Sequence, residues 1–311
     1  MVKVIDLDKN TEELKPAVVG LGNFDGIHIG HRQIMDRVLE VAKEKNLKSS
    51  VLLFKQHTNE IFKKRPSRYL TSLEDKIEIL DQIGIEQVFI VDFTFEFAQL
   101  TNEEFILKFI GEDLNAKSIV VGRDYTFGKF AKGTVTELRE YNDKNLIDVN
   151  VVDPIFYNDD MASSTIIRIA IKEGNVDQVE ELLTHNYWVN GKVVDGEKRG
   201  GKILGFPTAN IDLDFNYLIP NDALYLTYIW IDGKKYPSLT SIGTNPTFTD
   251  SEDIKIECFI IDFDENIYGK KVRLEFIKKT REQIKFDSKE ALIDQMNYDL
   301  DQARIFFKND K

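Results

Sequence analysis

Cysteine occurs once in the 311 residues, at Cys258, so the chain can form no intrachain disulfide. A lone cysteine suits a reducing compartment. The opening stretch MVKVIDLDKN has no apolar segment of the secretory type. No apolar run approaches the roughly 18 residues that crossing a bilayer requires. These absences point to a cytoplasmic protein with no membrane partner. Basic residues are also in deficit, with 41 Lys and Arg against 53 Asp and Glu, a net charge of -12. That balance argues against a general nucleic-acid binder, which needs a basic face. It leaves anionic small ligands open, because a local field can oppose the global one. Neither an internal repeat nor a low-complexity segment is visible. With 42% hydrophobic and 30% charged residues, the chain reads as globular with a substantial core. Its length favours two domains.

The first half alternates two periods. Short runs rich in Val and Ile at 17–22, 50–54, 87–91, 118–122 and 147–152 have the length of buried strands. Helical spacing separates them. Ile34, Val38, Val41 and Ala42 share one face of 31–46; Leu73, Ile77 and Leu80 share one of 73–83; Phe105, Ile106 and Phe109 fall together in 102–110. Alternating strand and helix predicts a Rossmann-like α/β domain, a parallel sheet covered on both faces, with ligands at the carboxyl ends of its strands. Two helices, 163–171 and 176–183, close this half, and the pattern then becomes strand-like. Runs 225–231 and 234–242 flank Asp232-Gly233, a hairpin signal. Runs 254–262 and 271–277 follow, then a helix over 288–307 with Leu292, Ile293, Met296, Leu300 and Ala303 on one stripe. This predicts a small β-barrel with a terminal helix. The boundary is placed at 184–187, giving domains 1–184 and 185–311.

Histidine is scarce too, with four in the chain, and two of them sit three apart in Gly22-Asn23-Phe24-Asp25-Gly26-Ile27-His28-Ile29-Gly30-His31. This segment joins a predicted strand to a predicted helix. Glycine lets backbone approach a phosphate, and a helix start offers unpaired N–H groups and a positive partial charge. His28 and His31 add donors. A tight turn with a capping histidine is the simpler reading of one histidine. His-x-Gly-His in this context resembles the adenylyl- and cytidylyltransferase signature. Two histidines are too few for a zinc site. Gly122-Arg123-Asp124-Tyr125-Thr126-Phe127-Gly128 follows a strand on the same predicted sheet edge, and Ser163-Ser164-Thr165-Ile166-Ile167-Arg168 opens a helix. Ser163 or Ser164 suits a cap, and Arg168 one turn on suits a polyphosphate.

In the second half, Lys198-Arg199-Gly200-Gly201-Lys202 is a basic glycine loop, followed by Phe206-Pro207-Thr208-Ala209-Asn210. Taken alone, the first reads as a solvated turn, and the second reads equally as a Pro-Thr turn capped by Asn. A hydroxyl and an amide oxygen two residues apart suit Mg²⁺, which takes few protein ligands beside phosphates and water.

Taken together, these motifs resemble the prokaryotic bifunctional riboflavin kinase/FAD synthetase family. The adenylyltransferase half is carried by the three motifs from Gly22 to Arg168. The kinase half is carried by 191–210, Ile242-Gly243-Thr244-Asn245-Pro246-Thr247-Phe248, Ile256-Glu257, Tyr268-Gly269-Lys270, and Arg281 with Phe286. The resemblance runs from about residue 17 to 305. It implies two reactions: phosphorylation of riboflavin to FMN, and adenylylation of FMN by ATP to FAD. For the second it implies ATP contacts at Gly22, Asn23, Phe24, Asp25, Gly30, Ser164 and Thr165. It further implies catalytic donors at His28, His31 and Arg168, and a flavin or nucleotide loop at Gly122, Asp124 and Phe127. For the kinase it implies ATP contacts at Gly191, Gly196, Gly200, Lys202 and Thr208. Mg²⁺ would sit on Thr208 and Asn210, Arg281 against riboflavin, and Glu257 would be the base. The sequence departs from the family at Phe54-Lys55-Gln56-His57-Thr58-Asn59, where a Pro-His-Pro segment is usual and only the histidine remains. It departs again at Thr184-His185-Asn186-Tyr187, where the kinase domain usually opens Gly-Arg-Pro-Tyr.

Overall fold

Runs of Val, Ile and Leu with no polar alternation must be covered on both faces, and in this chain they form the middle of a parallel sheet. The structure is a computed structural model and describes residues 1–56, 68–195, 206–245 and 253–309. The chain divides into two compact units, Met1–Ser164 and Thr165–Lys311. Strands of the first are β1 (Lys3–Asp6), β2 (Ala17–Gly20), β3 (Lys48–Phe54), β4 (Gln87–Val91), β5 (Ala116–Gly122), β6 (Thr126–Phe127), β7 (Gly133–Thr134), β8 (Asp148–Val152), β9 (Phe156–Tyr157) and β10 (Asp160–Met161). Its helices are α1 (Ile29–Lys45), α2 (Leu73–Ile83) and α3 (Val135–Asp143), with a wider-wound helix over Glu104–Asp113. Helix α4 (Ser164–Glu173) begins at the division and α5 (Val176–Leu183) follows. The second unit continues with β11 (Tyr187–Val194), β12 (Ala209–Leu213), β13 (Ala223–Ile231), β14 (Lys234–Asn245), β15 (Asp253–Ile260), β16 (Lys271–Glu282) and α6 (Lys289–Asn309).

The main sheet of the first unit is all parallel in the order β1-β4-β3-β2-β5-β8. From β2 the chain winds outward through β3 and β4, then returns to lay β5 and β8 on the other side. The winding therefore reverses between β2 and β5, and ligands of such sheets bind in the crevice outside these carboxyl ends. Helix α1 buries Ile34, Met35, Val38, Val41 and Ala42. A Cβ on Gly20 would lie 3.1 Å from a methyl of Val38, so the glycine lets helix and strand close. Phe105, Ile106, Phe109, Val135 and Leu138 share a core with Val19, Leu21 and Val121. Strand β1 adds a sixth member to the five strands expected. Its Lys-Val-Ile-Asp is too short and too charged to announce itself, and its pairing with β4 holds it.

The second unit is a closed six-stranded antiparallel barrel, β11-β12-β15-β14-β13-β16, with β16 returning to β11. Gly191 in β11 reads as a breaker in sequence and works as a closure here. A Cβ on it would lie 2.4 Å from the Asp212 carbonyl oxygen of β12. Thr227 Oγ1 lies 2.8 Å from both Ser238 Oγ and Thr240 Oγ1, a fully buried hydroxyl cluster. Beside it burial pushes the Cys258 thiol up to about 11. Along α6, Leu300, Ala303 and Phe307 pack on Leu226, Leu239 and Ile261.

Candidate active site

Strand β2 ends at the sheet's reversal, and residues 21–28 carry the chain from it into α1. The path is tight. Phe24, Gly26 and Ile27 all have left-handed backbone, with φ of 47°, 91° and 43°. For a β-branched residue such as Ile27 that conformation is strained, and strain of this kind gathers at functional sites. Phe24 and Ile27 are fully buried, which holds the turn in place. A Cβ on Gly22 would lie 2.9 Å from the Phe24 ring, so this position must be glycine for Phe24 to fold beneath it.

The Asp25 carboxylate faces inward. It accepts the backbone N–H groups of Leu70 and Thr71 at 3.0 and 3.3 Å. Thr71 answers by accepting the Gly26 N–H on its hydroxyl at 3.0 Å. Ser72 then caps α2 reciprocally with Asp75. One turn further on, Lys76 donates to the Asn23 carbonyl at 3.2 Å. On the other side, Ser164 donates its hydroxyl proton to the Asp25 carbonyl at 2.8 Å. The loop is thus clamped by 70–76 and by the start of α4.

His28 occupies the N-cap position of α1, yet its side chain makes no capping hydrogen bond, and the first turn has no acidic residue. The His28 and His31 rings stack with centroids 3.7 Å apart. Phe24 meets His31 edge-on at 5.1 Å. The Nδ1 atoms of both histidines are buried without a hydrogen-bond partner among the described residues. Burial lowers the pKa of His28 to about 4, against opposing fields from Asp25 and Asp124. Burial, His28 and Lys76 together hold His31 well below the usual imidazole range. Both rings are therefore neutral at pH 7, each with one N–H to give. A helix start left open, with one neutral donor at its cap and a second in its first turn, offers groups of the kind that suit phosphate oxygens.

Gly122 ends β5, across the reversal from β2. A Cβ on it would lie 3.0 Å from Asp124 Oδ1. Phe127 is buried against Phe105 and Tyr125 as part of the core. A Cβ on Gly30 would lie 3.3 Å from the His28 ring, so Gly30 leaves room for that imidazole. Thr165 is exposed and Arg168 half-buried on α4, in the second unit; Ser164 and Arg168 are one helical turn apart.

In the barrel, β12 and β15 pair so that Asn210 lies directly opposite Glu257. Directly opposed residues of an antiparallel pair put their side chains on one face, with Cβ atoms about 5 Å apart. Glu257 is exposed while its neighbours Ile256 and Cys258 are buried, so this face looks outward. Thr208 immediately precedes β12. Ser241 of β14 is the other neighbour of Glu257 and accepts a hydrogen bond from Gln283 at 2.9 Å. The Arg281 guanidinium is held by Asp299 of α6, at 3.0 Å from Nε and 2.7 Å from Nη2. Gly196, Gly200, Lys202 and His57 lie outside the described residues. Gln56 uses both ends of its amide on the backbone and carboxylate at 92–93.

Sequence reading missed Thr71 and Lys76. Both act on a loop more than 40 residues away, and their one local signal is the capping box that starts α2. It also missed the register that sets Asn210 against Glu257.

A family model for FAD synthetase matches residues 10–166, and one for riboflavin kinase matches 183–307. The bifunctional riboflavin kinase/FMN adenylyltransferase of Listeria monocytogenes is 36% identical over 93% of this chain and 92% of its own. That of Bacillus subtilis is 34% identical over 96% and 95%. A crystal structure from Streptococcus pneumoniae, named as a macrolide-efflux protein, superposes with a TM-score of 0.89 at 33% identity, covering 97% of this chain and 99% of that one. No helix among the described residues is long and apolar enough to cross a membrane. Two family models in this order, with relatives matched along nearly their whole length, assign the chain to the bifunctional riboflavin kinase/FMN adenylyltransferase family.

Proposed function

We propose that this chain makes FMN from riboflavin and ATP in its C-terminal domain, 185–311, and FAD from FMN and ATP in its N-terminal domain, 1–184. The observation that carries the adenylyl half is the uncapped start of α1, with two stacked neutral histidines, at the reversal of a parallel sheet. The FMN phosphate is already ionised and needs no base. Its oxygen attacks the α-phosphorus of ATP, and pyrophosphate leaves. Charge builds on the α-phosphate and on the leaving group, so donors aimed there lower the barrier. His28, His31 and the α1 N–H groups serve the α-phosphate, while Ser164, Thr165 and Arg168 serve pyrophosphate. Gly22, Asn23, Phe24, Asp25 and Gly30 shape that pocket, and Gly122, Asp124 and Phe127 shape its flavin side.

The kinase half must activate a neutral hydroxyl. Glu257 takes the 5′-hydroxyl proton of riboflavin as the oxygen attacks the γ-phosphorus of ATP and ADP leaves. Its cross-strand pairing with Asn210 supports this reading. Thr208 and Asn210 supply hard oxygen donors beside that carboxylate, a set that fits Mg²⁺. When bound, the ion neutralises phosphate charge. Gly191, Gly196, Gly200, Lys202 and Thr208 hold ATP, and Arg281 borders riboflavin. The protein acts in the cytoplasm on these small molecules, without nucleic acid or membrane.

Purified protein given riboflavin, ATP and Mg²⁺, with products separated over time, tests the reading. FMN should rise first and FAD follow. FMN alone would limit the chain to its kinase half, and neither product would reduce it to a binding protein.

A further inference from the structure

The phosphate-binding loop has a problem of charge. ATP brings several negative charges, yet the loop's own ionised group is the Asp25 carboxylate. His28 and His31 cannot both become cations while their rings stack at 3.7 Å in a buried site, because two positive charges at that distance repel strongly. Burial already holds both imidazoles neutral. Arg168 is assigned to the leaving pyrophosphate, so a cation beside the histidines must come from elsewhere. Lys76 is placed to provide it, four residues past the N-cap of α2 and bonded to the Asn23 carbonyl at 3.2 Å.

We propose that Lys76 is a phosphate ligand of the adenylyltransferase site, supplying the positive charge that the two histidines withhold. The proposal rests on the adenylyltransferase reading above. Three observations support it. Asn23, whose carbonyl the ammonium touches, belongs to the loop that ends at His28, three residues before His31. That bond is the single hydrogen bond the Lys76 ammonium makes among the described residues, so two of its three N–H donors remain for a ligand. The segment bearing it is fixed to the loop at both ends of 70–76, by Asp25 on Leu70 and Thr71 and by Lys76 itself, so the ammonium is pre-positioned. Enclosure lowers the Lys76 pKa, opposed by Asp25 and Asp75. An incoming phosphate would favour the charged form further.

The reverse reaction gives a readout confined to this site, since pyrophosphate and FAD return ATP and FMN. Lys76→Gln keeps a donor for the Asn23 carbonyl and removes the charge. It should melt within a few degrees of the wild type. Its KM for ATP in FAD formation, and for pyrophosphate in the reverse direction, should rise about ten- to a hundredfold, the worth of a charge-assisted hydrogen bond. Riboflavin phosphorylation should be unchanged. Lys76→Arg should recover most of the loss. Wild-type KM values in Lys76→Gln would overturn the proposal, as would a loss that Lys76→Arg fails to recover while folded. Wild-type protein that neither forms FAD from FMN and ATP nor returns ATP from FAD and pyrophosphate would instead defeat the adenylyltransferase reading itself.

Discussion

At the residue scale, what suits His28 and His31 to the proposed chemistry is that both are kept neutral. Replacing His31 with Ala removes one donor without disturbing the barrel. FAD formation should fall about 10²- to 10³-fold, the usual loss for one such donor, while FMN formation stays near normal. A parallel loss of both products in folded protein would show that the sites are not separate. The same neutrality makes a stability prediction. His28 titrates near 4 when folded and near 6.5 when unfolded. The unfolded chain therefore takes up the proton first as pH falls. Stability is unaffected above about pH 6.5 and declines between there and pH 4, by ~3 kcal/mol in all from this group. His28→Gln should flatten that part of the melting-temperature profile of the first unit. An unchanged slope between pH 6.5 and 4 would remove His28 as its source. The pair was legible from its spacing together with the likeness of His-x-Gly-His, between a strand and a helix, to a nucleotidyltransferase signature. The inward turn of Asp25 was not, because its partners lie 45 residues away, in a segment with no distinctive pattern of its own.

At the element scale, α6 is tied to the barrel by one buried ion pair as well as by its apolar stripe. Asp299 is nearly inaccessible, with 7% of its side chain exposed. It holds Arg281 of β16 in a two-pronged contact and accepts a further hydrogen bond from Gln295 at 2.8 Å. Asp299→Ala would strand the guanidinium in a largely enclosed place. Breaking such a pair costs about 3–5 kcal/mol, so the thermal transition of the second unit should drop while that of the first holds. Asp299→Asn keeps the shape and part of the bonding and should cost less; equal losses would assign the effect to packing. Sequence period revealed α6 well, since its stripe at Leu300 and Ala303 is the observed contact. Strands β11 and β12 escaped notice for opposite reasons. β11 contains Gly191, which looks like a breaker and instead permits close approach of β12. β12 alternates Asn and Asp outward, and its five residues depend on neighbours on both sides for definition. Helix α3 has few apolar residues, Val135 and Leu138 being its buried ones, so its period was faint.

At the scale of the whole molecule, each unit has its own core, and the two candidate ATP sites rest on different folds and different chemistry. One needs donors around a charge that is already present; the other needs a carboxylate to create its nucleophile. The two reactions should therefore fail independently. Glu257→Ala should lose riboflavin phosphorylation and still adenylylate supplied FMN, the reverse of His31→Ala. Each variant then lacks what the other keeps. Mixed together with riboflavin, ATP and Mg²⁺, they should form FAD by passing FMN through solution, with a lag that shortens as the His31→Ala protein, which supplies the FMN, is increased. FMN accumulating in the mixture without FAD, although the Glu257→Ala protein converts added FMN at the same concentration, would mean that the kinase does not release its product to a separate chain.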